Sequence, residues 1–145
     1  MAGNAQATND VAFELPRDRF AWYTGAVLNK YEPAVLDKDG NLVPATTTTL
    51  TNFAQFMGIC QYPAEKAGNM ATVVKGAFPV VANGAIAAGS LVEVTDATIT
   101  VNDIEYHVVR ESDVPYSGDM DFHTVIGTAL TAATTAGDLL TIAIK

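Results

Sequence analysis

The sequence predicts an all-β fold, a small single-domain β-barrel or sandwich. Three stretches share one signature, in which an Ala-Gly step is followed by a small polar residue, an apolar residue and a short alternating strand; they begin at Ala67, Ala88 and Ala136. Glycine suits the tight turn that leads into such a strand. The 145 residues are rich in Ala, Val and Thr and include only eight Lys and Arg, a balance that favours pleated strands.

The alternation inside the three signatures predicts which side chains form the core. Successive side chains of a strand point to opposite faces, so one parity is expected to be inward and the other to face water. The inward set is Val73, Val94 and Ile142, and the outward set is Thr72, Glu93 and Thr141. Glycine also recurs ten residues before the glycine of the first and third signatures, at Gly58 and Gly127.

The elements follow in a simple order. Residues 1–12 are small and polar without an apolar period, which predicts an extended N-terminal arm before a single β domain at residues 13–145. Asp-Gly within Asp37–Asn41, between two short apolar runs, predicts a hairpin. From residue 58 to residue 101, turns and strands alternate about every 8–12 residues, as they do in all-β domains. The stretch at about 102–123 is polar and acidic and is expected to be an insertion.

The last predicted strand runs from Leu139 to Ile144 and is apolar. An exposed edge strand of this character would aggregate, so it is expected to be paired inside the barrel or covered by another subunit. The candidate contacts with a partner protein or with another subunit are Asn4, Gln6 and Asn9 in the arm, Trp22 and Tyr23, and Leu140, Ile142 and Ile144 in the last strand. Aromatic rings are enriched at interfaces, although Trp22 and Tyr23 suit a core equally well.

Composition excludes several classes of protein. The formal net charge of −8 argues against binding to nucleic acid or to an anionic membrane surface, because both require clustered Lys and Arg. The single cysteine, Cys60, cannot form an intramolecular disulfide, and its apolar neighbours predict a buried, inert thiol. The start of the chain lacks the pattern of a signal peptide, and a membrane-spanning apolar run is absent, so we expect synthesis and folding in a reducing cytoplasm.

Catalytic and metal-binding patterns are weak. Asp119, Asp121 and His123 alternate and would share one face of a strand, which could bind a metal, but an acidic face in water is the simpler interpretation. His107 has neither Ser nor Cys at a recognised spacing and is expected to be a surface or interface residue. The sequence contains neither a phosphate-binding glycine loop nor a nucleophile elbow. We therefore expect no enzyme, no metal and no cofactor.

The order of features from about residue 25 to residue 145 carries a family resemblance. The segments are 25–27, 36–45, 57–60, 67–80, 86–92 and 126–140, the last and most characteristic reading IGTALTAATTAGDLL. Together they resemble the small head decoration, or cement, proteins of tailed bacteriophages. The resemblance implies a virion protein on the outer capsid surface, made in the host bacterial cytoplasm, which binds the major capsid protein, forms a homotrimer and stabilises the shell. It implies no catalysis.

Two other functions compete with this one. One is a different virion β module, such as a host-surface or glycan-binding spike domain, for which Tyr62, Tyr106 and Tyr116 are candidate sugar contacts. The other is an enzyme on a trimeric β scaffold, such as a nucleotide hydrolase. That enzyme would need a placed carboxylate and phosphate-binding groups, and the sequence offers no motif for them.

Overall fold

The structure, a computed structural model, describes residues 15–112 and 123–145. In this part of the chain the backbone forms nine strands and one 3-10 turn. The strands are β1 Leu15–Tyr23, β2 Pro33–Leu36, β3 Leu42–Pro44, β4 Phe56–Tyr62, β5 Met70–Val81, β6 Leu91–Val101, β7 Ile104–Glu111, β8 Val125–Ala129 and β9 Leu139–Ile144. The 3-10 turn, Phe53–Gln55, is held by a capping box between Asn52 and Gln55. The predicted all-β fold is confirmed.

The strands form one sheet with antiparallel pairing between neighbours. Its order is β3-β2-β4-β5-β9-β8-β6-β7, and β1 also pairs with β5. The predicted hairpin is confirmed, because Leu36 pairs with Leu42 across a turn in which Gly40 has a φ of 79°. Asp37 Oδ1 stabilises this turn by accepting hydrogen bonds from the backbone N–H groups of Asp39 and Asn41.

The sheet is built from two copies of one unit that share β5. The first unit contains β1 to β4 and the first half of β5, and the second contains the second half of β5 and β6 to β9. In each unit the starting strand pairs with the ending strand, β1 with β5 and β5 with β9. A parallel bridge just after the starting strand then closes the ring of five strands, joining Thr24 to Leu42 in the first unit and Ala82 to Val109 in the second.

Hydrogen bonds and register repeat between the two units position by position. Gly68 N–H donates to Thr24 O, and Gly137 N–H donates to Ala82 O, both at 2.8 Å. Further equivalent pairs are Leu28–Ala64 and Ile86–Ala133, Ala34–Gly58 and Val92–Gly127, and Ala21–Thr72 and Pro79–Thr141. The fold is therefore an internal duplication.

The second of the three sequence signatures has a different position in its unit from the other two. Gly89 corresponds to Tyr31, because Gly89 N–H donates to Ala129 O at 2.8 Å and Tyr31 N–H donates to Cys60 O at 2.9 Å. Gly89 has a φ of 90° and Tyr31 a φ of 75°. Tyr31 thus holds the left-handed conformation that the second unit assigns to glycine, a conformation uncommon for a bulky residue.

Two clusters of buried side chains form the core. One lies inside the first unit and contains Leu28, Ala34, Leu42, Cys60, Ala64, Ala71 and Val73. The other fills the second unit and continues across the junction, where Val35, Ile59 and Val74 of the first unit join Phe78 and Val80 of the second. Because this cluster is shared, the two units form a single domain.

The predicted inward side chains are buried as expected: Val73, Val94 and Ile142. The prediction that the other parity faces water is wrong for Glu93 and Thr141, which are also buried, while Thr72 is half-buried. Both buried residues have polar partners. Arg110 Nε donates to Glu93 Oε1 at 3.2 Å, and Thr131 Oγ1 accepts a hydrogen bond from Thr141 N–H at 2.9 Å. These strands are covered on both faces, which alternation alone does not reveal.

The segment expected to be a polar insertion, at about 102–123, begins with a long hairpin. Strands β6 and β7 continue past a bulge between Val94 and Thr98 to a two-residue turn, Asn102-Asp103. This extension has no counterpart in the β2–β3 hairpin of the first unit, which turns directly after Leu36. Residues 113–122 lie outside the described residues, and so does the predicted arm at residues 1–12.

Candidate binding surface

Aromatic side chains are exposed along β1, the strand that begins the first unit. The exposed fractions are 37% for Phe20, 42% for Trp22 and 53% for Tyr23. Within residues 15–112 and 123–145, β1 pairs only with β5, so its other edge is open apart from the bridge that follows it. An open edge with large apolar side chains is a surface suited to binding another protein.

Phe20 and Trp22 share one side of β1, and we call them the β1 aromatic face. They stand opposite Val73 and Ala71, which are buried in the core of the first unit. Their rings are stacked, with centroids 5.9 Å apart. Trp22 Nε1 donates to Gly40 O at 2.8 Å, so the polar group of the indole is satisfied inside the chain. The remaining ring surface is apolar and available for contact.

A second exposed row lies on the opposite side of the same strands. Tyr23 stands opposite Met70, and Tyr62 stands opposite Thr72, two residues further along β5. Tyr62, one candidate sugar contact, is 58% exposed, whereas Tyr106 lies in β7 of the second unit opposite Ile99. The third candidate, Tyr116, is outside the described residues.

Unlike the exposed Trp22 and Tyr23, the predicted contact residues of the last strand are buried or partly buried in the fold. β9 lies between β5 and β8, and Leu140 and Ile142 are completely buried there. They have no surface left for a partner, which removes them from the candidate interface, and Ile144 packs against the shared core. The strand is thus paired inside the sheet. The candidate contacts in the arm, Asn4, Gln6 and Asn9, fall outside the described residues.

The extended hairpin of the second unit is attached to the first unit through a buried carboxylate. Glu32 is only 1% exposed. Its Oε2 accepts hydrogen bonds from the backbone N–H of His107 at 2.6 Å and pairs with the His107 ring at 2.5 Å, while Oε1 accepts from Asn29 N–H at 2.6 Å. Asn29 Nδ2 also donates to Glu105 O. His107, expected to be a surface or interface residue, is therefore a contact between the units.

This contact lies beside an open cavity of about 380 Å³. The hydrogen bond to Glu32 raises the pKa of His107, with smaller opposing and supporting effects from burial and from the charges of Glu32 and Glu105. Val27 and Ile104 add apolar walls to the cavity. Because both carboxylate oxygens of Glu32 accept hydrogen bonds from the same chain, we interpret this arrangement as a structural contact that holds the two units together.

The other candidate chemical groups are placed as follows. Cys60 is buried as predicted, and burial, followed by the charge of Glu32, raises the pKa of its thiol to about 12. No group of three His, Cys, Asp or Glu suited to a metal occurs among residues 15–112 and 123–145. Asp119 and Asp121 are outside that range, whereas His123 is inside it. These described residues contain no helix long and apolar enough to cross a bilayer.

Sequence reasoning missed two parts of this surface. Phe20 was not singled out beside Trp22, although the spacing of two residues already places both on one side of a strand. The pairing of Glu32 with His107 joins residues 75 positions apart, and nothing in the sequence near either residue indicates it. Only the order of the strands brings them together.

Comparison with known proteins gives a similarity at the level of the fold. No protein-family model matches the chain, and no curated protein sequence matches it. Among solved structures, the fold is similar to the crystal structure of the head fiber gp8.5 N base in bacteriophage phi29, with a TM-score of 0.60 and 18% sequence identity. The alignment covers 88% of this chain and 93% of that chain. The fold is thus one that a phage head protein uses, as the sequence resemblance predicted.

Proposed function

We propose that this chain is a structural protein of a phage virion, which binds the outside of the head through the major capsid protein and stabilises the shell. The observation that carries the proposal is the similarity of almost the whole fold to a phage head protein, the head fiber gp8.5 N base. The resemblance of residues 25–145 to head decoration proteins points the same way and comes from a separate kind of evidence. The proposed role requires neither catalysis nor a cofactor.

Surface composition supports attachment to protein and not to nucleic acid. The formal net charge is −8, which repels packaged or released DNA. The exposed rings of Phe20, Trp22 and Tyr23 provide the kind of side chain that anchors protein interfaces. Binding of this kind adds buried contact area between neighbouring capsid subunits, which is where a shell under internal pressure would separate.

The proposal includes assembly into a homotrimer. A closed symmetric oligomer engages several identical capsid subunits at once, and the resulting avidity strengthens attachment without any new type of contact. Among the described residues, the outer edge of β1 has no strand partner beyond the bridge that follows it. This supports self-association, because such an edge with apolar side chains needs cover in solution.

A second candidate role is the attachment base of a longer head appendage, a virion module that does not stabilise the shell. The name of the similar phi29 structure, a head fiber base, favours this alternative. Both roles require binding to the capsid exterior. They differ in the effect on the capsid, because only a cement raises the temperature at which filled heads rupture.

The test is to mix the purified protein with undecorated capsids of the phage that encodes it and to measure co-sedimentation and capsid rupture temperature. We expect saturable binding at a fixed ratio to capsid protein together with a higher rupture temperature. Saturable binding with an unchanged rupture temperature would favour the attachment base. Absence of binding at micromolar protein would contradict both roles.

A further inference from the structure

The two units differ in the exposure of the same face of their starting strands. By register, Phe20 and Trp22 on β1 hold the positions that Phe78 and Val80 hold on the second half of β5. Phe78 and Val80 are fully buried, whereas more than a third of the surface of Phe20 and of Trp22 is exposed. One copy of this face is therefore covered within the chain, and the other copy is not.

Part of the cover over the second copy of the face comes from the first unit. The ring of Tyr31 lies 5.9 Å from the ring of Phe78. Val35 and Ile59, on the outer side of β2 and β4, belong to the same buried cluster as Phe78 and Val80. Since the first unit uses its outer side within the chain, it is not available to cover the β1 aromatic face of a neighbouring molecule.

The second unit carries the equivalent outer side, and three of its positions are partly exposed. Two other positions differ: Glu93, the counterpart of Val35, is buried, and Gly89, the counterpart of Tyr31, has no side chain. The equivalent positions are Thr128 for Ile59, Ala143 for Val74 and Arg110 for Val43. We call Arg110, Thr128 and Ala143 the second-unit outer face. Thr128 and Ala143 are half-buried, and the Arg110 side chain is 54% exposed while its Nε is bonded to Glu93. This face is more polar than the outer side of the first unit, which packs within the chain. Interfaces between molecules that also exist separately are typically more polar than a protein core.

We propose that the β1 aromatic face docks a second copy of this chain, which covers it with its second-unit outer face, in the arrangement by which the first unit covers Phe78 within one chain. The contact joins two different surfaces and is therefore head to tail. A head-to-tail contact forms a closed ring when the rotation that relates neighbouring copies brings the last copy back into contact with the first. The inference names the contact that would build the proposed oligomer, but its test uses no capsid, so it can fail while capsid attachment holds.

The single tryptophan of the chain, Trp22, reports directly on this contact. We expect the full chain to sediment as an oligomer at micromolar concentration, with Trp22 emission that shifts to longer wavelength on dilution as the ring returns to water. Phe20→Ser should weaken self-association by at least about tenfold, because anchoring aromatic residues dominate interface energies. Tyr62→Ser, which changes a still more exposed ring on the opposite side, should leave the oligomer intact.

A mixing experiment distinguishes the head-to-tail contact from a symmetric one. Thr128→Arg should block the second-unit outer face, and Phe20→Ser combined with Trp22→Ser should block the β1 aromatic face. Each variant alone should sediment as a monomer, with circular dichroism and urea midpoint showing that it remains folded. Mixed together, they retain one good copy of each face and should form a heterodimer.

Three results would overturn the proposal. The first is a wild-type chain that stays monomeric, with concentration-independent Trp22 emission, throughout the micromolar range. The second is failure of the two folded variants to pair on mixing, which would indicate that the face meets itself or that another surface builds the oligomer. The third is an oligomer that persists, with its dissociation constant unchanged, in both variants.

Discussion

Gly58 and Gly127 hold equivalent positions at which the neighbouring strand leaves no space for a side chain. A β-carbon would lie 2.3 Å from Val74 O at Gly58 and 2.4 Å from Ala143 O at Gly127. We expect replacement of either glycine by alanine to lower the free energy of unfolding by more than about 2 kcal/mol, since a rigid backbone must move. Urea unfolding monitored by circular dichroism measures the change.

The matched control for the two glycine substitutions is Gly84→Ala. A β-carbon at Gly84 meets nothing within 4 Å, and its backbone is not left-handed. This change should leave the free energy of unfolding within about 0.5 kcal/mol of the native value. If Gly58→Ala and Gly127→Ala unfold at the same urea concentration as Gly84→Ala, the neighbouring strands do not approach Gly58 and Gly127 closely.

The pairing of Glu32 with His107 makes stability depend on pH. The hydrogen bond that the Glu32 carboxylate accepts raises the pKa of His107 above its usual value of 6.5. Protonated His107 is thus stabilised in the folded state, and its contribution is fully present below about pH 6.5 and is lost as pH rises through the raised pKa. The difference in the free energy of unfolding between the native chain and His107→Gln should therefore be largest near about pH 6 and should shrink toward about pH 9. A difference that grows with pH in urea titrations would contradict the assignment.

Individual residues could be predicted from the sequence only where the cause is local. Gly40 in its hairpin and the burial of Cys60 both follow from neighbouring residues. Glu93 could not be predicted, because its burial depends on Arg110 from the adjacent strand. The role of His107 is likewise set by Glu32, which the sequence places far away.

Among the elements, the β6–β7 hairpin joins the two units at two points. Its far end reaches Glu32 through His107, and Asp96 on β6 accepts hydrogen bonds from the backbone and hydroxyl groups of Thr47 in the first unit. Hydrogen bonds from Thr47 are the main cause that lowers the pKa of Asp96. The hairpin thus extends the sheet and also connects the two units by hydrogen bonds.

The turn of this hairpin requires residues that tolerate positive φ. Asn102 has a φ of 52° and Asp103 a φ of 66°, a combination typical of a type I′ turn. We expect Asp103→Val to lower the free energy of unfolding by about 1–2 kcal/mol, because a β-branched residue resists this conformation. Asp103→Gly should be tolerated.

The control for the turn is the same chemical change in the first hairpin. Asp39 is exposed and is not among the described residues with positive φ. Asp39→Val should therefore cost less than Asp103→Val. Equal urea midpoints for the two valine variants would show that the β6–β7 turn does not have the geometry described.

Elements were predictable to the extent that glycine and alternation mark them. The Asp37–Asn41 hairpin and the strands after Gly68, Gly89 and Gly137 lie where the sequence indicates them. The strand β7 was hidden by its polar composition, since only Val108 and Val109 along it are buried. Its hairpin turn contains no glycine, the residue on which the hairpin prediction relied.

At the scale of the whole molecule, the sequence signatures marked repeated turn–strand units, but they did not predict that the fold is an internal duplication. The matched glycines at 58 and 127, and at 68 and 137, are equivalent in the structure. The remaining equivalences rest on backbone hydrogen bonds, so different side chains occupy them, such as Tyr31 and Gly89. The exposure of the β1 aromatic face became interpretable only once its buried counterpart at Phe78 was known.

Removal of residues 1–12 tests the predicted role of the arm. The segment is polar and small, so we expect its deletion to leave the melting temperature unchanged. A polar arm can still order on a partner by adding main-chain hydrogen bonds, so capsid occupancy should fall. Equal occupancy for the truncated and full chains, measured by co-sedimentation, would show that the arm is not needed for attachment.

Attachment to the outside of a phage head is the central claim, and imaging tests it most directly. The measurement is a cryo-electron microscopy reconstruction of capsids incubated with saturating protein, compared with the same capsids alone. We predict additional density on the outer surface, repeated at equivalent lattice positions, into which two fused five-stranded rings fit. A reconstruction identical to that of the bare capsid, or density confined to the interior, would contradict the account.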